Sequence, residues 1–172
     1  MSQLELIIGN VCSFCATASD SISTTRKSTK SVLRVQNISQ FFYFVATIVL
    51  KGYSSSVQNV VSILRNVVAI RGIKSKVIEW TLTIMGVVFG IVFNNLGLVG
   101  YLPILANLQY TLVVFQFRDN DLALKISFLV AVGLFVVFNL AIWNFVGAFF
   151  NLATFIVTGI TLIRQKILRK KA

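Results

Sequence analysis

Seven apolar runs, at about 4–22, 33–50, 56–71, 77–94, 97–116, 124–142 and 145–163, occupy nearly all of the 172-residue sequence. A bilayer core needs about 20 apolar residues per helix, and each run comes near that length. Inside lipid a segment must satisfy its own backbone hydrogen bonds, so runs of this kind fold as helices. The tight turns Lys51-Gly52-Tyr53-Ser54-Ser55-Ser56, Asn94-Asn95 and Trp143-Asn144 leave no stretch for a soluble domain. The expected fold class is therefore all-α integral membrane, a single membrane domain over residues 1–172. The opening MSQLELIIGN lacks a basic n-region and a cleavage site, and reads as a retained span.

The basic residues orient the spans. Arg26, Lys27, Lys30 and Arg34 lie between runs one and two, and Arg71, Lys74 and Lys76 between three and four. Arg118 and Lys125 lie between five and six, and Arg164, Lys166, Arg169, Lys170 and Lys171 follow run seven. Fourteen of the 16 Lys and Arg residues thus share one side; Lys51 falls on the other and Arg65 within the membrane. Positive residues are retained in the cytoplasm, so the expected arrangement is an external N-terminus and a cytoplasmic C-terminus. The net charge of +11 is spent on these loops, which argues against nucleic acid as a partner.

The sequence also repeats weakly. Shifted by 91 residues, Gly9 falls on Gly100, Lys27 on Arg118, Leu33 on Leu124 and Arg34 on Lys125, and a one-residue insertion then brings Asn59 onto Asn151. Repeat one covers about 4–71, a linker helix about 77–94, repeat two about 97–163, and a basic cytoplasmic tail 164–172. An odd number of helices between the halves gives both repeats the same orientation.

Polar residues facing lipid gain nothing, so polar stripes at helical spacing mark the bundle interior or a watery path. Run one carries Asn10, Ser13, Thr17 and Asp20; run two Gln36, Gln40, Tyr43 and Thr47; run three Asn59, Ser62, Arg65 and Asn66. Run five adds Asn107 and Tyr110, and run seven Asn151, Thr154 and Thr158. Arg65 stands out, because VQNVVSILRNVVAI holds no acid to neutralise it. An intramembrane Arg costs about 2.5–3.5 kcal/mol on insertion scales and is usually aimed at a partner, a cavity or an anion. An ion pair with Asp20 or Glu79, or snorkelling to the inner interface, is the simpler reading. Direct contact with a substrate carboxylate or phosphate is the other. A site built from Asn59, Ser62, Arg65, Asn66, Asn107, Asn151 and Thr154 would favour a small organic anion or a sugar.

With no histidine and five acids, none paired at catalytic spacing within a span, nothing suggests an enzyme, a metal site or a cofactor. Cys12 and Cys15 form a CxxC on an apolar helix, where small-residue packing is the better reading. Trp80 and Trp143 are read as interfacial anchors. The expected partners are membrane lipids and a small solute, with a homo-oligomer left open. The competing class is a non-transporting membrane protein: an assembly partner, or a lipid-binding or sensory module.

Seven spans in a three-one-three order with parallel repeats resemble the SWEET sugar transporters and their PQ-loop relatives. In that family one Asn on the third helix of each repeat lies at the central site, which the resemblance carries onto Asn59 and Asn151. Asn139-Leu-Ala-Ile-Trp143 resembles the Asn-x3-Trp of its sixth helix. The turn after Trp143 is shorter than in those transporters. Tyr53, Arg65-x5-Arg71, Asn139, Gly147, Gly159 and Arg164 resemble the YgjV-type family of bacterial inner-membrane proteins. That resemblance implies an inner-membrane location and this fold.

Overall fold

The computed structural model describes residues 1–24, 29–117 and 121–171. It contains α1 (Gln3–Thr24), α2 (Thr29–Val49), α3 (Tyr53–Ile70), α4 (Lys76–Val92), α5 (Tyr101–Gln116), α6 (Asp121–Ala141) and α7 (Phe145–Lys171), with one 3-10 turn, Gly97–Gly100, leading into α5. Among the described residues there is no strand, so the fold is all-α. Arg26, Lys27 and Arg118 lie outside the described residues, as do the side chains of Lys30, Lys166, Arg169, Lys170 and Lys171.

Two boundaries depart from expectation. The fifth run opens as a 3-10 turn, Gly97–Gly100, whose first residue takes φ +58, before the regular helix begins at Tyr101. The seventh run continues as helix through the basic tail to Lys171. No Gly or Pro between Gly159 and Lys171 stops it.

Among the described residues one helix, Phe145–Arg164, is by length and composition long and apolar enough to cross a membrane. Gly97–Val113 and Lys125–Ala141 are shorter apolar helices. Polar side chains at buried positions lower the hydropathy of the others. The distribution is the reverse of a water-soluble bundle. Ser39, Ser54, Gln58, Asn139 and Asn144 are buried, whereas Ile7, Phe14, Phe41, Val77, Leu98 and Phe149 are exposed.

The helices pack as a closed ring. α1 lies against α2, α2 against α3, α3 against α5, α5 against α6, α6 against α7, and α7 against α1; α4 sits outside, bridging α3 and α5. Replacing α1, α2 and α3 by α5, α6 and α7, and the reverse, maps this set of contacts onto itself. Two helix bounds share one offset: Val49 to Ala141 and Tyr53 to Phe145 are each 92 residues apart. Across these turns the register is 92, the value that also brings Asn59 onto Asn151 after the insertion. The shift of 91 rested on Gly9, Lys27, Leu33 and Arg34, of which Lys27 and its match Arg118 lie outside the described residues.

The same offset relates two strained turns. After α2, Lys51 takes φ 59; after α6, Trp143 takes φ 60. Each is a left-handed C′ residue in a Schellman turn. Gly52 N donates to Thr47 O at 2.7 Å, and Asn144 N donates to Asn139 O at 2.9 Å. Each turn carbonyl is held from outside its own hairpin. Asn95 Nδ2 donates to Lys51 O at 2.8 Å, and Asn10 Nδ2 donates to Trp143 O at 3.3 Å. Beside these turns Leu50, Phe138 and Ile142 form the hydrophobic core, with Leu6, Leu96, Val99, Leu102 and Phe135 packed against it. This end of the bundle is sealed.

Candidate functional site

Inside the ring lies a cavity of about 850 Å³. Every ring helix contributes to its wall, and α4 contributes Glu79. At the sealed end the lining reaches Thr47, Ser55 and Asn139; at the other it reaches Leu33, Ile73, Glu79 and Phe115. The stripes expected on α2, α3 and α7 all face it: Gln36, Gln40, Tyr43 and Thr47; Asn59, Ser62, Arg65 and Asn66; Asn151, Thr154 and Thr158. On α1 only Thr17 and Asp20 reach it, while Asn10 is spent on the α6–α7 turn. The sealed end explains this, since Leu6 and its neighbours there belong to the plug.

Arg65 projects from α3 toward α5. Its Nη1 donates to Asn107 Oδ1 at 3.2 Å and to Thr111 Oγ1 at 3.0 Å, and its guanidinium carbon lies 5.5 Å from the centroid of the Tyr110 ring. Asn107, Tyr110 and Thr111 are spaced three and four apart, so one face of α5 presents all three. The expected partners Asp20 and Glu79 are elsewhere. Asp20 sits on α1, which does not neighbour α3, and accepts from Ser39 Oγ on α2. Glu79 is paired with Lys76 at 3.5 Å in the first turn of α4. Arg65 is therefore held by neutral groups and by an aromatic face.

Those neutral groups are themselves fixed. Asn107 Nδ2 donates to Gln58 Oε1 at 2.7 Å, and Gln58 Nε2 donates to the Gly86 carbonyl of α4 at 2.8 Å. This relay sets the flip of both amides and leaves Asn107 Oδ1 as the acceptor facing Arg65; Ser62 Oγ also donates to it at 3.4 Å. The register of the relay depends on close approach of α4 to α3 through Gly86 and Gly90, a small-xxx-small pair. A Cβ at Gly90 would lie 2.6 Å from Gln58 Nε2 and 2.8 Å from Ile104 Cγ1, whereas one at Gly86 would make ordinary contact. Gly90→Ala is thus expected to destabilise by about 1–3 kcal/mol through overpacking. Gly86→Ala should be neutral or gain up to about 1 kcal/mol of helix propensity. Thermal unfolding in detergent separates the two, and equal midpoints would contradict this packing.

Asn59 Nδ2 donates to Thr47 Oγ1 at 3.3 Å, and Thr47 Oγ1 lies 2.9 Å from Ser56 Oγ. Among the described residues no hydrogen bond engages the side chains of Asn66, Asn151 or Thr154, so their polar atoms face the cavity uncommitted. Asn59 and Asn151, related by the 92-residue offset, both line it. The cavity thus offers amides on both halves and a guanidinium on one, since Val157 stands where α3 has Arg65. Cys12 and Cys15 are free thiols outside the cavity, and no cluster of metal-ligating side chains exists among the described residues. Trp143 is exposed, against Phe145 and away from the lining.

A family model described as bacterial inner membrane protein, Imp-YgjV, matches residues 7–169. Searches of curated proteins and of solved structures returned no match. The chain belongs to the Imp-YgjV family.

Proposed function

We propose that this inner-membrane protein carries a small solute across the bilayer, by rocking two three-helix bundles about the central cavity. In this reading all seven helices span the membrane, the N-terminus is outside and the C-terminus is cytoplasmic. α1–α3 and α5–α7 are parallel repeats of SWEET-like architecture, joined by α4. The 92-residue offset between the α2–α3 and α6–α7 turns, the self-mapping ring of contacts and the basic residues between runs support it. Asn59, Ser62, Arg65, Asn66, Asn107, Asn151 and Thr154 form the binding surface, and Arg65 is a solute contact. Membrane lipids and the solute are the partners; no nucleic acid, cofactor or catalytic reaction is involved.

The observation that carries the proposal is the cavity itself. A bundle serving only assembly, lipid binding or sensing has no need of about 850 Å³ of space into which amides, hydroxyls and a guanidinium project between apolar side chains. Polar groups are expensive in lipid and collect where water or a substrate passes. The geometry fits one half of an alternating-access cycle, with the Leu50–Phe138–Ile142 plug closed on the outer side. Uptake into vesicles tests it, using a broad panel of sugars, amino acids and organic acids. At least one solute should enter with the wild type, and Thr154→Trp, which fills the cavity, should slow entry at least tenfold. Silence across the whole panel would sink transport.

A further inference from the structure

We propose that Arg65 is the docking point for the single carboxylate of a small hydroxy- or oxo-acid, held through the guanidinium edge formed by Nε and Nη2. This deepens the transport reading by naming the substrate class, and it rests on the same cavity. Both Nη1 hydrogens are used, on Asn107 Oδ1 at 3.2 Å and Thr111 Oγ1 at 3.0 Å. Nε and Nη2 carry three further donors, and among the described residues no acceptor engages them. Two of these donors are parallel and match the two oxygens of a carboxylate.

Charge narrows the class. Among the described residues Arg65 is the one basic residue in the cavity wall, and its partners are neutral. A cation so placed wants one negative charge from the ligand, because an unpaired charge in a low-dielectric site is costly. A dianion would exceed that, with the carboxyls of Asp20 and Glu79 in the same wall. At the position 92 residues after Arg65 repeat two carries the apolar Val157. Asn59 lies six residues before Arg65 on α3, roughly 9 Å at a rise of about 1.5 Å per residue. A chain of a few carbons therefore brings its hydroxyl or carbonyl oxygens toward the Asn59 and Asn151 amides while its carboxylate meets Arg65.

The test uses the purified full chain in detergent, reading the thermal unfolding midpoint at constant ionic strength. The probes are glycolate, lactate, pyruvate and gluconate, with lactamide as the neutral isostere of lactate, and inorganic phosphate and a short-chain phosphatidylglycerol as competing anions. At least one monocarboxylate should raise the midpoint in a saturable way, and lactamide should not. Arg65→Lys should weaken the response at least tenfold, because an ammonium lacks the parallel fork, and Arg65→Met should abolish it. Asn107→Asp is isosteric and places a carboxylate where Arg65 already binds, giving up the hydrogen bond to Gln58 Oε1. It should abolish the response while retaining a cooperative unfolding transition and wild-type helix content by circular dichroism, so loss of response is read on a folded chain. The proposal is overturned if no monocarboxylate acts, if Arg65→Met or Asn107→Asp responds like wild type, or if phosphate or the lipid acts at lower concentration. Binding through Arg65 without vesicle uptake would remove transport and leave this site. Uptake of a neutral solute unchanged in Arg65→Met would do the reverse.

Discussion

Truncating Phe138 to alanine is expected to lower the stability of the folded chain by about 3 kcal/mol, the lower end of the range for a buried Phe. Phe138 is 0% exposed and forms the hydrophobic core with Leu50 and Ile142. The lower end applies because part of the usual penalty is transfer from water, and between lipid and protein interior that part is small. What remains is lost packing. The ring is clamped on one side by Gly52, where a Cβ would lie 2.9 Å from Phe138 Cζ and 3.3 Å from Ile142 Cδ1. Backbone held that tightly cannot collapse into the void, so the cavity term persists. Phe138→Leu keeps more of the volume and should recover most of the loss. Thermal unfolding in detergent reads both variants. An alanine variant as stable as wild type would mean that the plug is not packed as described. The same truncation should also let small solutes leak through vesicles, since Phe138 packs with Leu50 and Ile142 at the end of the bundle where Asn139 limits the cavity.

That plug was not legible from the sequence, whereas the helices around it were. Seven apolar runs announced seven helices because lipid leaves a spanning backbone no other way to bond itself. Stripes at three- and four-residue steps announced which faces turn inward, and α2, α3 and α7 follow them. Residues whose role depends on neighbouring helices were harder. Arg65 was matched by charge to Asp20 and Glu79, but α3 packs on α5 and not on α1, so amide and hydroxyl oxygens reach it instead. Gln58 was passed over, although it holds Asn107 in position. It sits between α4 and α5 at the edge of the cavity wall, and the signal for it lay in the other helix as Gly86-x3-Gly90. Thr111 could have been found from its place one residue after Tyr110 and four after Asn107. Leu50, Phe138 and Ile142 carry no such mark, since Leu, Phe and Ile fill every run in this chain.

The ring explains how two similar halves hold an asymmetric site. The offset of 92 gives both halves the same helices and the same left-handed turns. The linker breaks the equivalence, because α4 packs on α3 and α5 and fixes Gln58 through the Gly86 carbonyl. Only the α3–α5 seam therefore has a third helix to brace a relay of amides beneath a charged group. The α7–α1 seam has none, and α7 carries Val157 where α3 carries Arg65. Charge sits where the scaffold can hold its partners still.

Asn144→Ala is expected to be the second severe substitution, at about 2–4 kcal/mol. Asn144 is 0% exposed and precedes the first residue of α7. Its Oδ1 accepts from Gly147 N at 3.0 Å, which caps the helix, and its Nδ2 donates to Asn139 Oδ1 at 2.9 Å. Loss of an N-cap side chain costs about 0.5–2 kcal/mol. Leaving the buried Asn139 oxygen without its donor adds about 1–3 kcal/mol. Because both groups lie in one network the two losses overlap, which sets the total below their sum. Asn144→Asp discriminates between them: it keeps the cap acceptor but cannot donate to Asn139. If the cap dominates, Asp should be nearly as stable as Asn. If the buried amide pair dominates, Asp should be worse than Ala, since two acceptor oxygens would then face each other without water. Midpoints of thermal unfolding for the two variants decide it. The second outcome is expected, because Asn144 is fully buried at the sealed end, where a carboxylate would also be desolvated.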